Sequence, residues 1–465
     1  MKYAPPETAG LYFYMISAIM EKMPTKRGLS MERSVKEAYS RILKKELVAA
    51  MGCTEPIAIA YAAAKCRAVL GCLPEHCHVR CSGNIVKNVM GVTVPNSGGM
   101  KGIDVAATLG ILGGDAERDL EVLQSVTEEH IAQAKQLLEA DFCVCSLEQG
   151  VENLYILIRL TAGTEEAVVE IRNYHKNITR IEKNGEVLFS QERSCTEIAV
   201  KDDPDKALLN IADILEYAAD PDAEILELME HQLRYNLGIA REGMDRPYGA
   251  QVGRTLLRGV RSLNPDTARA AAKAYAAAGS DARMNGCAMP VVINSGSGNQ
   301  GLTVSLPVKI YADSYGIGKS RMLRSLVVSN LIAIHQKQYI GSLSAYCGAV
   351  SAACGAGAAI AYLLGEKLSA AQLYRQVADT VTNTIGTVGG MVCDGAKSSC
   401  AAKIATAVDC AITAYELSRY GNVFQPGEGL VMESVEDTIE SVGRMGREGM
   451  HATDIEILQI MLRED

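Results

Sequence analysis

The chain has 465 residues, 48% hydrophobic and 22% charged, a globular composition with room for about two or three domains of ~150 residues each. Lys plus Arg number 46 and Asp plus Glu 55, a net charge of −9, so no basic face is offered to nucleic acid or to an anionic membrane. With no Trp and 4 Phe, aromatic platforms for stacking bases are not supplied either. The 14 cysteines are spread through a long acidic chain, which fits a reducing, cytoplasmic setting better than a disulfide scaffold. There most cysteines act as small buried hydrophobes and a few serve as ligands or nucleophiles.

Residues 1–30 read as a peripheral extension. Their apolar patch, Leu11 to Met20, follows Glu7 and leads to no clean small-residue cleavage site, so signal-peptide order is missing. Residues 31–50 predict an amphipathic helix, with apolar positions at three- and four-residue spacing. A break at Met51–Pro56 precedes an Ala-rich helix from Ile57 to Leu70. Residues 76–95 show short β-branched runs around a Gly83–Asn84 turn. Residues 142–192 read as antiparallel strands, with Lys183-Asn184-Gly185-Glu186 as a hairpin signal. Residues 205–280 read as helical, and the chain after Gly318 as nearly all helix. Gln338–Gly365 carries no charge, but its Ala, Ser and Gly content predicts a helix buried in protein and not a membrane span. The expected fold is α+β: a large, mostly helical catalytic module with an inserted smaller module containing antiparallel strands. Its expected parts are an extension at 1–30, a helical segment at 31–71 that joins the catalytic module, an α+β module at 72–200, and the mostly helical module at 203–465.

Three stretches could carry chemistry. In Gly52-Cys53-Thr54-Glu55-Pro56, Pro56 suits a first helical turn. Cys53 then precedes a helix N-terminus, where unpaired N–H groups favour an anion and lower a thiol pKa, making a thiolate base or nucleophile feasible. A small residue in a tight turn is the competing reading. In Gly390–Cys400, two cysteines seven residues apart match neither a zinc ribbon nor a ferredoxin run. They can share a metal cluster if the loop curls, with Lys397 and the following helix start offsetting thiolate charge. A third ligand would come from Cys347 or Cys354; inert buried cysteine is the competing reading. In Asn294-Ser295-Gly296-Ser297-Gly298-Asn299-Gln300-Gly301, closely spaced Gly and Ser make a nest for a carboxylate or phosphate, without the Gly-Lys-Ser/Thr ending of a Walker loop.

Other polar groups read as structural. Ser82–Asn88 and Pro95–Lys101 are turns that could border a cleft. Cys72, His76, Cys77, His78 and Cys81 match no zinc knuckle, and 77–81 fits a strand with alternating faces. His335 reads as a satisfied structural histidine.

Taken in order, GCTEP with its Ala-rich helix, SGNIVKNVMGV, NSGSGNQGLTVSLPV, LSAYCGAVSAACGAGAAIAYLLG and GMVCDGAKSSCAAK resemble the L-cysteine desulfidase family over about residues 31–420. That family is similar to the alpha chain of iron–sulfur L-serine dehydratases. The resemblance implies a [4Fe–4S] cluster held by three cysteines in the 203–465 module and a β-elimination that uses no pyridoxal phosphate. L-cysteine would give pyruvate, ammonia and hydrogen sulfide. The family's proton acceptor falls on Cys53, two cluster ligands on Cys393 and Cys400, and the third on Cys347, with Cys354 keeping that last assignment open. An iron left with an open site would act as a Lewis acid on the leaving group. Asn294, Ser295, Gly296, Ser297, Gly298 and Asn299 would hold the substrate carboxylate. The serine dehydratases depart from this chain in their serine-binding segments, so L-serine is the alternative substrate. The implied partners are a small amino acid and further copies of the chain, with neither nucleic acid nor membrane. Two rivals remain. A pyridoxal phosphate enzyme would need a Schiff-base lysine, and no Ser-x-Lys segment is placed to supply it. An iron–sulfur sensor would need an output element, and none is evident.

Overall fold

A computed structural model describes residues 31–191, 203–341 and 343–463. The extension read at 1–30 lies outside these residues, as does most of the end of the strand-rich stretch, 192–202. The architecture is α+β: a helical body, one six-stranded mixed sheet and one two-stranded ribbon.

Helix α1 (Arg33–Glu46) buries Ala38, Tyr39, Ile42 and Leu43 and turns Arg33, Glu37 and Arg41 to solvent, as its spacing predicts. The helix ends at Glu46, short of the expected residue 50, because strand β1 (Ala49–Met51) begins before the expected break at Met51; helix α2 (Thr54–Leu70) starts three residues before the expected position, with Pro56 in its first turn. Strand β2 (His76–Cys81) alternates faces as read. The β-branched run after it is not strand but helix α3 (Gly83–Met90), a correction with a clear cause. Ile85 and Val89, one helical turn apart, both enter the core, and that packing overrides the residues' strand preference.

Helices α4 (Ile103–Gly113) and α5 (Glu128–Glu139) lead to strands β3 (Cys143–Leu147), β4 (Tyr155–Ala162), β5 (Glu165–Arg172), β6 (Ile178–Lys183) and β7 (Glu186–Ser190). The sheet order is β3-β2-β4-β5-β6-β7. The neighbours from β2 through β4 to β7 are antiparallel, but β3 runs parallel to β2, so the antiparallel reading of 142–192 fails at its first strand. The β6–β7 hairpin turns at Asn184 and Gly185, both at positive φ, as the Asn-Gly pair predicts. Helix α2 is buried almost all round because it packs against both the sheet and α4.

The helical body comprises α6 (Ile211–Ala219), α7 (Ala223–Asp245), α8 (Val252–Leu256), α9 (Ala268–Met284), α10 (Gly298–Ser314), α11 (Lys319–Ile340), α12 (Gly348–Leu364), α13 (Ala370–Val388), α14 (Cys400–Arg419), α15 (Val435–Arg444) and α16 (His451–Leu462). Strand β8 (Pro290–Val292), between α9 and α10, pairs antiparallel with β1, Ala49 opposite Val292 and Met51 opposite Pro290. This ribbon ties the start of α2 to the helical body. The uncharged stretch is not one helix: residues 338–340 end α11, Tyr346 and Cys347 lie outside helix, and Gly348–Leu364 form α12, surrounded by α10, α11, α13 and α14. A Cβ on Gly355 would come within 2.3 Å of the Ser329 carbonyl, so glycine permits the close approach of α11. No helix among the described residues is long and apolar enough to cross a membrane.

Candidate active site

Two loops bring sulfur together. Cys347 is the N-cap of α12, and Cys400 is the first residue of α14. Tyr346 and Val392 form an isolated antiparallel bridge. The Cys347 N–H donates to the Met391 carbonyl at 3.0 Å, and the Cys393 N–H donates to the Ala345 carbonyl at 2.6 Å. Cys347 and Cys393 therefore flank one short ribbon. Burial pushes the Cys347 thiol up, and Cys393 and Cys400 push it further, so the three groups feel one another's charge. Cys400 is raised the same way, by burial and then by Cys393.

Cations surround the trio. Lys403 donates to the Val392 carbonyl at 2.8 Å and pairs with Asp394. Lys337, fully enclosed, is drawn down to about 8 by burial against the pull of Cys393 and Cys347. Lys397 pairs with Asp394 and acts on Cys400. Cys354 sits two turns into α12, fully buried, with its thiol toward the Val381 carbonyl at 3.8 Å and its neighbours Gln336, Thr384 and Cys410. The arrangement brings Cys347, Cys393 and Cys400 together and leaves Cys354 in another environment.

Cys53 is the N-cap of α2. It clusters with Val92 and Met284, against which Ala396 and Cys400 pack, so the fourth thiol lies beside the trio. The expected lowering of its pKa does not occur. Burial and then the neighbouring Glu55 charge push the thiol well up, because desolvation of a thiolate outweighs the helix dipole here. Its Sγ–H donates to Glu55 Oε2 at 2.9 Å. Burial alone would raise Glu55, but His175, whose Nε2 lies 3.8 Å from Oε1, together with Cys53 and Arg283, holds the carboxyl down to about 2.

The 294–301 stretch is half turn, half helix. Asn294 and Ser297 exchange backbone hydrogen bonds of 3.1 and 3.0 Å around Ser295 and Gly296, both at positive φ, and Gly298 opens α10. The Asn294 amide is fully buried and donates to Asn330 Oδ1 at 3.0 Å; Ser295 Oγ donates to Asn294 Oδ1 at 2.9 Å. Thr54 Oγ1 donates to the Gly296 carbonyl at 2.9 Å, locking this turn to the start of α2. Ser297 gives α10 no side-chain cap. A cavity of about 490 Å³ borders the turn, with His175, Ser295, Gly296, Lys337 and Asp454 on its wall.

His175, Arg283 and Lys337 were not found from sequence. His175 and Arg283 act on Glu55 from more than 100 residues along the chain, and Lys337 comes from α11, the helix preceding Cys347; no local spacing marks them. Of the remaining polar stretches, Ser82–Asn88 brings Lys87 to the Cys393 carbonyl at 3.5 Å. Asn96, Ser97, Gly98 and Gly99 border a separate cleft with Asn285. His335 Nε2 meets Glu436 Oε2 at 2.6 Å, as a structural histidine would. Among the described residues, no three His, Cys, Asp or Glu side chains are placed to hold a single metal ion.

The fold and site define an α+β protein with a buried, thiol-rich centre beside a small-molecule cavity. Residues 117–459 match the family model described as serine dehydratase alpha chain. Relatives named UPF0597 protein are 49% identical in Lachnoclostridium phytofermentans (90% of this chain, 98% of the relative) and 44% identical in Treponema denticola (94% and 100%). The relative of that name in Finegoldia magna is also 44% identical (92% and 99%). The chain belongs to the serine dehydratase alpha chain family. That membership points to an amino-acid dehydratase or related lyase.

Proposed function

We propose that the protein eliminates the β-substituent of L-cysteine without pyridoxal phosphate, so that L-cysteine and water give pyruvate, ammonia and hydrogen sulfide. Cys347, Cys393 and Cys400 would hold a [4Fe–4S] cluster. The observation that carries this is the Cys347–Cys393 ribbon with Cys400 at the start of α14, next to the Cys53–Glu55 pair. The donor set fits such a group: three soft sulfurs, with Lys337, Lys397 and Lys403 to balance negative charge. The ligand sulfurs of a cube stand farther apart than the donors of a single ion, so a cube does not require a single-ion site among the described residues. When bound, the cluster would supply a Lewis-acidic iron for the leaving sulfur.

The chain's own residues would do the proton work. Cys53 rests as a thiol whose proton is held toward Glu55 Oε2 by a hydrogen bond, which orients Sγ. In its ionised form Cys53 Sγ can take the proton from the substrate Cα. The turn at 294–299 would orient the substrate, and the enclosed setting of Cys53 would keep bulk water from the transferring proton.

A second reading, L-serine dehydration at the same site, is favoured by the family description. Anaerobic assay of sulfide and pyruvate release separates the two: L-cysteine is expected to turn over with the higher kcat/KM. Release of pyruvate from L-serine alone would favour the second reading, and release of neither would count against both. The soluble partner expected is the amino acid itself; assembly of several copies is proposed alongside it.

A further inference from the structure

Arg283 lies in the last turn of α9 and is 2% exposed. Its guanidinium has no hydrogen bond or ion pair among the described residues, and Nε is a buried donor without a partner. Leaving a buried cation unpaired costs several kcal/mol, because its hydration is lost and nothing replaces it. A fold that keeps such a group provides for an anion that arrives later.

The neighbours show where that anion would sit. A Cβ built on Gly298 would lie 2.3 Å from Arg283 Nε and 2.9 Å from Cζ, so the guanidinium rests directly against the backbone of the first residue of α10. That helix is 17 residues long and starts without a side-chain cap. The N–H groups of its first turn have no partner within the helix and carry the positive end of its dipole. Guanidinium and helix start therefore converge on one point, and glycine at 298 leaves room for the guanidinium and for Val291 against the helix backbone.

Glu55 is the nearby anion in the fold; it attracts Arg283 through space but makes no ion pair with it. Its Oε2 accepts from Cys53 and Thr54, its Oε1 faces His175, and neither oxygen comes within 4.0 Å of Arg283 as an ion pair. The next residue along α10, Asn299, holds a buried Oδ1 without a partner, an acceptor of the kind an ammonium group needs. A positive pair of groups beside an unfilled acceptor is complementary to the two ends of an α-amino acid.

We propose that Arg283, with the first-turn N–H groups of α10, is the anchor for the carboxylate of the amino-acid substrate. The site serves the reaction proposed above and rests on that reading for its substrate. It differs from a general nest in assigning the main charge contact to a side chain from α9, with Gly298 as the residue that makes room for it.

The test uses anaerobically purified, full-length protein and two probes that carry no leaving group, L-alanine and L-alaninamide, titrated by calorimetry. Wild type is expected to bind L-alanine at least about tenfold more tightly than the amide, the scale of one charge-assisted contact. Arg283→Gln is expected to erase that preference, and Arg283→Lys to restore part of it. Because an unpaired buried cation is removed, Arg283→Gln is expected to melt no lower than wild type. Gly298→Ala, which places a methyl against the guanidinium and Val291, is expected to weaken L-alanine binding. A preference unchanged in Arg283→Gln, or in Gly298→Ala if the first variant does not fold, overturns the proposal. So does a wild type that does not distinguish the two probes. Discrimination between the probes without sulfide release from L-cysteine would instead overturn the reaction and leave the carboxylate site standing.

Discussion

The Cys53 thiol donates to Glu55 Oε2 at 2.9 Å, and both groups are buried at the start of one helix. The carboxyl is held down to about 2 while the thiol is pushed well up, so the proton sits on sulfur at rest and the carboxylate accepts its hydrogen bond. Cys53→Ser and Glu55→Gln are therefore expected to act at one step. Each should lower kcat for sulfide release by roughly 100-fold or more, the usual worth of a positioned acid or base. Both should keep bound iron, which separates a proton-transfer role from a ligand role. Loss of iron in Cys53→Ser would make that residue a ligand.

Cys347 and Cys354 share helix α12 but not an environment. Cys347 sits beside Cys393 and Cys400, and Cys354 faces α13. Cys347→Ala is expected to lose iron on anaerobic purification, as are Cys393→Ala and Cys400→Ala. Cys354→Ala is expected to keep it. Iron content measured on the four variants side by side checks this, and the opposite pattern for 347 and 354 would exchange their roles.

Much of this arrangement was legible in the chain and some of it was not. The Asn184-Gly185 hairpin and the amphipathic α1 follow from local rules, turn chemistry and periodicity, and both form as read. Helix α3 was missed because Ile85 and Val89 carry strand preference, and only tertiary packing makes their four-residue spacing decisive. The place of Cys53 before a helix could be read from Pro56. Its titration could not, because burial depends on residues brought from elsewhere in the chain, Val92 and Met284 among them. His175 and Arg283 reach the site only through the fold, so no spacing in the sequence could announce them.

Acid stability gives a test of the Glu55 environment. The folded carboxyl titrates near 2, against ~4.3 for an unperturbed glutamate. A depressed folded pKa contributes stability above the unfolded value, and that contribution is lost as pH falls from ~4.3 toward 2. Urea midpoints of wild type should fall across this window, and Glu55→Gln should show a shallower fall. An identical slope would mean that the carboxylate is not held as described.

Asp281 offers the opposite sign. Burial raises its carboxyl to about 6, only partly offset by the N–H groups of Gly253 and Val252. Its Oδ1 is buried without a partner, while Oδ2 accepts from the Gly253 N–H at 2.9 Å. A raised acid pKa means that stability is lost as pH climbs from ~3.9 to about 6. Asp281→Asn keeps an acceptor for Gly253 and removes the charge. It is expected to stabilise the protein at pH 7 by about 1–2 kcal/mol, measured as a shift in urea midpoint at constant m.

The C-terminal helix closes over the site through one buried ion pair. Lys87 on α3 is 1% exposed at its side chain and pairs with Asp454 on α16, while also reaching the Cys393 carbonyl at 3.5 Å. Asp454→Asn leaves that ammonium without its counter-charge. The expected cost is about 3–5 kcal/mol, read as a lowered melting temperature. A variant that melts with wild type would show that the pair is replaceable by water.

The most direct measurement is the iron and acid-labile sulfide content of anaerobically purified wild-type protein, taken together with sulfide release from L-cysteine by the same sample. About four iron and four sulfide per chain, the content of one cube, are expected in protein that releases sulfide and pyruvate in equal amounts. Protein that carries out this elimination with no iron, or that carries the full complement of iron and releases neither product, would contradict it.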